Sequence, residues 1–333
     1  MSSSERKPTL ADVASRAGVS PTTVSRALNG RGYVSRAMQE RIDEAVTELG
    51  YLTNHTARTL RGKATQTVGL IIPTLAMPFF GELAVAVENA LAKRDYRMLV
   101  CNSLGKPERE KEYLDLLLGQ HVDGIISSAH NENVCDYSML DLPVVSIDRN
   151  LHPSIPIVRC DNYDGARQAT QLLLDRGARR PALLTSRMGP HNLREKGYRH
   201  VLEQAGIEPL VMTVSFNTPQ RVLTETIRRE LDTHPEVDSV FATDDLRAAT
   251  AYEWALQHGF EIPDDFKVIG FDGTFAMRQA MPWLSTVIQP INQMAQHAVE
   301  LLVEQVDCLD LQRDQFPADI IELPIKLYRG RTV

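Results

Sequence analysis

Hydrophobic runs of strand length alternate with helical runs along most of this 333-residue chain, from Val68 onward. The candidate strands are rich in Val and Ile and read "VGLIIPT", "RMLVCNS", "GIISSA", "VVSID", "RPALLTS", "VMTVSF", "SVFATD", "KVIGFD" and "STVIQP". Helical runs such as "GELAVAVENALAKRD" and "YDGARQATQLLLDRG" separate several of them. Repeated βαβ units with such strands fold as doubly wound parallel sheets, so the pattern predicts an α/β body.

The N-terminal segment lacks this alternation and shows three short helical patterns instead. They lie in "TLADVASRAG", "SPTTVSRALNG" and "SRAMQERIDEAVTELGY". In the second pattern Ser20 is an N-cap residue, Pro21 suits the first helical position, and Gly30 ends the helix. A tight turn at Gly18 joins the first two helices. The segment therefore predicts an all-α helix-turn-helix head.

The second helix of this head carries side chains suited to DNA. Thr22 offers a hydroxyl and a methyl group to base edges, and Arg26 can form a bidentate contact with guanine in the major groove. Small polar groups that suit phosphate oxygens surround them, namely Ser20, Thr23, Ser25 and Asn29. The alternative is that these hydroxyls only cap and solvate a small helical bundle.

Charge is divided unevenly between head and body. Residues 1–63 contain ten Lys and Arg against six Asp and Glu, a net charge of +4. The whole chain carries −7, so the remainder carries −11. A basic segment on an acidic body predicts a polyanionic partner for the head alone.

The sequence shows no signal for a metal site, a nucleotide-binding loop, a signal peptide or a membrane span. Cys101, Cys135, Cys160 and Cys308 show no metal-binding spacing, and there is no GxGxxG or P-loop sequence. "MSSSERKPTL" has no apolar core of a signal peptide, and no apolar run approaches the roughly 18 residues of a membrane span. We expect a protein without metal, cofactor or membrane contact.

Polar residues follow several predicted strands. They are Asp148 and Arg149, Asp244 and Asp245, and Asp272. Ligands of open α/β sheets bind beyond the carboxyl ends of strands, and carboxylate and guanidinium groups there bind vicinal hydroxyls. Phe79, Phe80 and Phe216 are candidates for stacking on the C–H face of a sugar. For each single aspartate the alternative is a helix cap, and Asp245 in particular is expected to be structural.

The head sequence "TLADVASRAGVSPTTVSRALNG" resembles the lactose/galactose repressor family, and the resemblance extends from about Lys7 to about residue 330. "VVSIDRNLHPSIPIVRCDNYDGA" and "VIGFDGT" look most like its sucrose- and ribose-operon repressor branch. The resemblance implies a two-lobed body like that of periplasmic sugar-binding proteins, with a ligand in the cleft between the lobes.

The resemblance also implies roles for particular residues. Pro21, Thr22 and Arg26 fall where the family reads bases. Asn54, Ala57 and Leu60 match its hinge helix, which folds on DNA and inserts Leu60 into the minor groove; a plain linker is the alternative. The family's effector positions are occupied by "PFF" at residues 78–80, Asp148, Arg194, Phe216, Asp244 and Asp272. The three aspartates against Arg149 and Arg194 give −1, which disfavours a multiply charged ligand.

The predicted architecture has four parts. Residues 1–52 form the head, 53–64 the hinge, 65–161 with 291–319 the N-terminal lobe, and 162–290 with 320–333 the C-terminal lobe. No apolar heptads follow the last strand, so a coiled coil is not expected. A homodimer is expected, because helix-turn-helix heads bind paired half-sites.

The functional prediction is a cytoplasmic, nucleoid-associated transcriptional repressor that binds operator DNA under control of a sucrose-, fructose- or ribose-like sugar. Three alternatives remain open. The first is a regulator that responds to a nucleoside or a sugar phosphate. The second is a sugar-binding protein without DNA function. The third is an enzyme that uses Asp244 and Asp272 as an acid–base pair.

Overall fold

The computed structural model describes residues 8–28, 34–49, 65–129, 131, 137–189, 191–216, 218–308 and 319–333. The chain divides into two compact units, Met1–Lys63 and Ala64–Val333, which we call the head and the body. Three predicted contact residues, Asn54, Ala57 and Leu60, lie outside the described residues, as does Asn29.

The described part of the head is all-α, as predicted. Its helices are α1 (Leu10–Ala17), α2 (Pro21–Leu28) and α3 (Arg36–Leu49). A capping box begins α1, because the Thr9 N–H donates to Asp12 Oδ2 at 2.7 Å while the Asp12 N–H donates to Thr9 Oγ1 at 3.3 Å. Buried side chains from all three helices form one small core: Val13, Ala14, Ala17, Val24, Ile42 and Ala45.

The turn between α1 and α2 requires glycine. Gly18 has a φ of 64°, in the left-handed region that other residues adopt at a cost. A Cβ atom at this position would lie 2.7 Å from Nη2 of Arg41. That guanidinium also donates hydrogen bonds to the carbonyl oxygens of Ala17 and Gly18, so α3 holds the turn in place.

The body has two lobes, each built on a six-stranded sheet. The sheet of the first lobe is entirely parallel, in the order β11-β5-β4-β3-β1-β2. Its strands are β1 (Thr67–Ile72), β2 (Arg97–Asn102), β3 (Gly124–Ser127), β4 (Val144–Ile147), β5 (Ile157–Cys160) and β11 (Ile320–Leu323). Its helices are α4 (Pro78–Ala92), α5 (Pro107–Gly119) and α11 (Ile291–Asp307), with a 3₁₀ turn at Tyr137–Met139.

The second lobe repeats the plan in the order β12-β10-β9-β8-β6-β7, with only β12 antiparallel. Its strands are β6 (Pro181–Thr185), β7 (Leu210–Thr213), β8 (Ser239–Ala242), β9 (Lys267–Asp272), β10 (Ser285–Ile288) and β12 (Lys326–Tyr328). Its helices are α6 (Asn162–Asp175), α7 (Leu193–Ala205), α8 (Gln220–Asp232), α9 (Asp245–Gln257) and α10 (Phe275–Ala280). The predicted α/β class is confirmed.

The chain passes between the lobes after β5, after β10, and between β11 and β12. The third passage differs from the predicted boundary at residue 320. Strand β11 pairs with β5 and lies in the first lobe, so the boundary moves to the residues between Leu323 and Lys326. Pro324 lies between the two strands. Because proline has no backbone N–H to donate to a sheet, it suits the point where strand pairing ends.

Candidate functional site

Helix α2 presents one polar face away from the core of the head. Val24 is fully buried against α1 and α3, whereas Pro21, Thr22 and Arg26 are exposed. Ser20 caps the helix, because its Oγ accepts a hydrogen bond of 3.1 Å from the Thr23 N–H. The exposed face therefore carries a hydroxyl in the first turn and a guanidinium in the last turn of a short helix, a shape that fits the major groove.

Other basic residues of the head serve its own structure. Arg16 forms an ion pair with Glu48, and Arg36 pairs with Glu40 at 3.1 Å. Arg41 is bonded to the carbonyl oxygens of the turn after α1. Arg26, by contrast, has no ion pair among the described residues of the head.

A cleft of about 550 Å³ opens between the two lobes at the carboxyl ends of their strands. All eight predicted effector residues line it: Phe79, Phe80, Asp148, Arg149, Arg194, Phe216, Asp244 and Asp272. The first lobe contributes Phe79, Phe80, Asp148 and Arg149, and the second contributes the others. A ligand in this cleft contacts both lobes at once.

Arg194, in the first turn of α7, lies at the centre of the cleft. Its guanidinium is 3.7 Å from Asp148 of the first lobe and 3.5 Å from Asp272 of the second. Its Nε donates to Asn162 Oδ1 at 2.7 Å, and its Nη1 donates to the carbonyl oxygen of Thr243. The guanidinium also stacks 3.7 Å from the ring centroid of Phe271. This fork is thus held rigidly between carboxylates of opposite lobes.

Amide side chains orient the two carboxylates that face Arg194. Asn162 donates to Asp148 Oδ1 at 2.6 Å, and Gln289 donates to Asp272 Oδ1 at 2.7 Å. Burial raises the pKa of Asp272 well above its usual range, against the lowering effect of Arg194. Both aspartates also have positive φ, 59° for Asp148 and 98° for Asp272. Such strained strand ends are typical of functional sites.

Asp244 and Asp245 take the structural roles considered as alternatives. Asp244 caps α9 by accepting from the Arg247 N–H at 2.9 Å, and it forms an ion pair with the Arg247 guanidinium. Asp245 lies beneath the cleft, where it accepts from Thr286 Oγ1 at 2.6 Å and from the Gly273 N–H at 2.9 Å. Burial raises the pKa of Asp245 to about 7. Asp244 still lines the cleft, while Asp245 does not.

The three phenylalanines form an aromatic wall across the cleft. The ring centroids of Phe79 and Phe80 are 5.1 Å apart, and those of Phe80 and Phe216 are 6.1 Å apart. Both pairs are edge-to-face, with interplanar angles of 81° and 88°. Phe80 and Phe216 come from different lobes, so the wall joins the lobes beside the polar centre.

Several polar residues of the site were not predicted from the sequence. Arg247, Asn162 and Gln289 are tied to the predicted carboxylates, and Thr185, Arg187, Asn192 and Lys196 also line the cleft. Gln289 follows β10, so the strand-end criterion applied to amides would have found it. Asn162 follows β5, a strand of only four residues that was not among the candidate strands. Arg247 is three residues after Asp244, the spacing of a helix cap and its first turn.

The described lining has a charge opposite in sign to the predicted charge of the site. Among the described residues it contains six Lys and Arg but three Asp, a net charge of +3 with histidines neutral. The cations are Arg149, Arg159, Arg187, Arg194, Lys196 and Arg247. The prediction of −1 was wrong because it counted only two arginines.

No metal site accompanies these groups. In the described part of the chain no three His, Cys, Asp or Glu residues are grouped so that they could hold a metal ion. Nor does any described helix combine the length and the apolar character that crossing a bilayer requires.

A helix-turn-helix head followed by a two-lobed body with a polar interlobe cleft defines a DNA-binding transcriptional regulator with a ligand-binding body. Residues 9–54 match "Bacterial regulatory proteins, lacI family", and residues 170–333 match "Periplasmic binding protein-like domain". The chain belongs to the lacI family.

Its relatives include operon repressors for sugars. The chain is 37% identical over 327 residues to the sucrose operon repressor of Streptococcus mutans, covering 97% of this chain and 99% of the relative. It is 36% identical over 317 residues to the ribose operon repressor of Halalkalibacterium halodurans, covering 94% and 95%. A solved complex of the transcriptional regulator CelR with cellobiose has 30% identity and a TM-score of 0.67, covering 98% of this chain and 100% of that one.

Proposed function

We propose that this protein is a transcriptional repressor whose affinity for operator DNA is set by a small sugar bound in the interlobe cleft. The observation that carries the proposal is the position of Arg194 between Asp148 of one lobe and Asp272 of the other. Hydroxyl groups of a sugar suit such paired carboxylate and guanidinium groups. A ligand held by both lobes favours one lobe arrangement over another.

The effector is a sucrose-, fructose- or ribose-like sugar. Names of the sucrose and ribose operon repressors and the cellobiose bound to CelR support this class. The aromatic wall of Phe79, Phe80 and Phe216 supports stacking on sugar C–H groups. Arg149 and Asp244, which also line the cleft, complete the polar contacts.

The head reads the operator through the exposed face of α2. In this proposal Pro21, Thr22 and Arg26 face base edges, while Ser20, Thr23, Ser25 and Asn29 contact phosphates. Asn54, Ala57 and Leu60 belong to a hinge that becomes helical against the minor groove. Sugar binding would change the spacing of two such hinges, so that ligand and operator affinities are reciprocally coupled.

The active species is a homodimer in the cytoplasm, where operator DNA lies. Strand β2 forms the edge of the first sheet, and its Leu99 and Val100 are each 40% exposed. Val85 on the neighbouring helix α4 is 61% exposed. An uncovered apolar edge of this kind is an aggregation hazard, and a second copy of the chain would cover it.

The protein binds its sugar without chemical change. Asp244 is engaged by Arg247 and by the start of α9, and Asp272 is engaged by Gln289 and Arg194. Neither carboxylate is available as the acid–base pair of a glycosidase. Incubation with the effector should return it unaltered, as judged by chromatography.

A mobility-shift titration tests the proposal. The protein should bind tightly, and in a salt-dependent way, to DNA fragments from the region upstream of its own gene. One sugar should change that affinity. Arg26→Ala should remove the preference for the specific fragment, whereas Arg36→Ala, on α3, serves as the matched control. If Arg26→Ala leaves the footprint unchanged, α2 is not the reading helix. Loss of response to every sugar and sugar phosphate would refute control by the cleft.

A further inference from the structure

The walls of the cleft carry more positive charge than a neutral sugar needs. All three lining aspartates are close to only two of the cations: Arg194 lies within 3.7 Å of Asp148 and 3.5 Å of Asp272, and Arg247 pairs with Asp244. Arg194 and Arg247 thus neutralise the three carboxylates. Of the other lining cations, Arg159 pairs at 2.8 Å with Glu322, which does not line the cleft. The excess is a feature of the whole lining, with six cations against three aspartates among the described residues.

One side of the cleft gathers groups that accept an anion. Lys196 is exposed, lies in the first turn of the 13-residue helix α7, and has no carboxylate partner among the described residues. Asn192, Leu193 and Arg194 at the start of the same helix also line the cleft. The positive end of a helix dipole and a lysine are therefore directed to one place.

Arg247 provides a second, independent indication of a ligand site on this side. It is only 2% exposed, yet it lines the cleft and its Nε has no hydrogen-bond partner. Its other nitrogens bind Asp244 and the Val214 carbonyl oxygen. A buried guanidinium N–H without a partner is destabilising, so a bound acceptor would remove that penalty.

The start of α7 and the start of α9, which carries Arg247, are close together. Asn192 donates to Thr185 Oγ1 at 3.2 Å, and Thr243 donates to the same oxygen at 3.4 Å. Arg194 also donates to the Thr243 carbonyl oxygen. These bonds join the two helix starts across the carboxyl ends of β6 and β8, so that Lys196 and Arg247 border one part of the cleft.

We infer that the effector is a monosaccharide that carries a phosphate group. The inference rests on the proposed function, in which the cleft binds a sugar. The sugar ring lies between the phenylalanines and the Asp148–Arg194–Asp272 centre, and the phosphate lies against the start of α7, Lys196 and Arg247. A dianionic phosphate opposes the net positive charge of the described lining, which Glu322 lowers by pairing with Arg159, and it supplies strong acceptors for the N–H donors there.

Calorimetric titration of the full-length protein tests the inference with matched pairs of ligands. The probes are sucrose, fructose and fructose 6-phosphate, ribose and ribose 5-phosphate, gluconate, and inorganic phosphate, all at one ionic strength. At least one phosphorylated sugar should bind about tenfold or more tightly than its parent, because charged hydrogen bonds are added. Equal or tighter binding of a neutral sugar would overturn the phosphate and leave the proposed function intact. Tighter binding of gluconate would overturn it in favour of a carboxylate. Binding of none of the sugars would overturn both.

Substitution of Lys196 locates the phosphate. Lys196→Gln should weaken binding of the phosphorylated sugar about tenfold and leave binding of its neutral parent unchanged. Lys111→Gln changes another exposed helical lysine, on α5 and outside the cleft, and should affect neither. An equal loss for both ligands, or no loss for either, would overturn the assignment of the phosphate to the start of α7.

Discussion

Glu82 of the first lobe accepts a hydrogen bond of 2.7 Å from the backbone N–H of Phe275 in the second lobe. Glu82 lies in α4, two residues after Phe80 of the aromatic wall, and Phe275 is the first residue of α10. The carboxylate meets the positive end of that helix, so the contact stabilises this particular arrangement of the lobes.

Removal of this contact should loosen the lobes. Glu82→Ala should weaken effector binding by about fivefold, since a hydrogen bond to a charged group contributes about 1–2 kcal/mol at a partly exposed site. Calorimetry measures the affinity, and small-angle X-ray scattering should show a larger ligand-free radius. Glu88→Ala, at an exposed position on the same helix, is the control. Identical affinities for the two variants would contradict the role of Glu82.

Arg194 should be irreplaceable by lysine. Lysine keeps the charge but cannot bond Asn162 and Thr243 with one planar group while facing two carboxylates. Arg194→Lys should weaken effector binding by more than about tenfold and leave ligand-free operator affinity unchanged. Arg199→Lys, which alters the arginine paired with Glu195 on the same helix, should bind the effector normally. The affinities come from calorimetry and mobility shift, and normal effector binding by Arg194→Lys would refute its central role.

The head should be sensitive to a single methyl group at Gly18. Gly18→Ala places a side chain at φ 64° and 2.7 Å from Arg41, which should destabilise the head by about 1–2 kcal/mol. Operator affinity should fall by up to about tenfold in a mobility-shift titration. Gly206, in the body, has a similar φ of 67°, and no atom lies within 4 Å of a Cβ built there. Gly206→Ala should therefore leave operator affinity unchanged. Equal affinities of both variants would show that the turn tolerates a side chain.

Asp245 should make the stability of the second lobe depend on pH. Its pKa of about 7 in the folded protein, raised mainly by burial, lies above that of an unfolded aspartate, about 3.9. The folded state therefore binds the proton more tightly, and the stabilisation from this group decreases as pH rises from about 4 to about 7. Asp245→Asn should reduce the pH dependence of the free energy of unfolding by up to about 1.4 kcal/mol per pH unit, which corresponds to the one proton that this group binds.

Urea unfolding followed by tryptophan fluorescence checks this slope, because both tryptophans, Trp254 and Trp283, lie in the second lobe. Asp115→Asn, at an exposed position of α5 in the first lobe, is the control and should retain the wild-type slope. An unchanged slope for Asp245→Asn would mean that the buried carboxyl titrates normally.

The parts of the fold that rest on long apolar periodicity could be predicted from sequence. Strands such as β1, β8 and β9 are almost wholly buried, so their Val and Ile runs are unambiguous. Strands β11 and β12 are short and half-exposed, and they form in different sheets. Their assignment depends on pairing with distant partners, which no local pattern encodes.

The site divides in the same way. Asp148 and Asp272 end strands of parallel sheets, so topology alone predicts that they meet a cleft. Arg194 lies on a helix with no strand-end signal, and only the family resemblance indicated it. The charge of the cleft was predicted with the wrong sign because Arg187, Lys196 and Arg247 come from a loop and from helix turns. Such positions become neighbours only after the lobe has folded.

The late strands β11 and β12 complete one sheet in each lobe, after every other strand has been synthesised. On the ribosome, neither half of the body can acquire its full set of strands until these last segments emerge. The head helices α1 to α3 come first in the chain and can fold without these segments. A nascent chain can thus complete the described helices of its head before it completes the ligand-binding body.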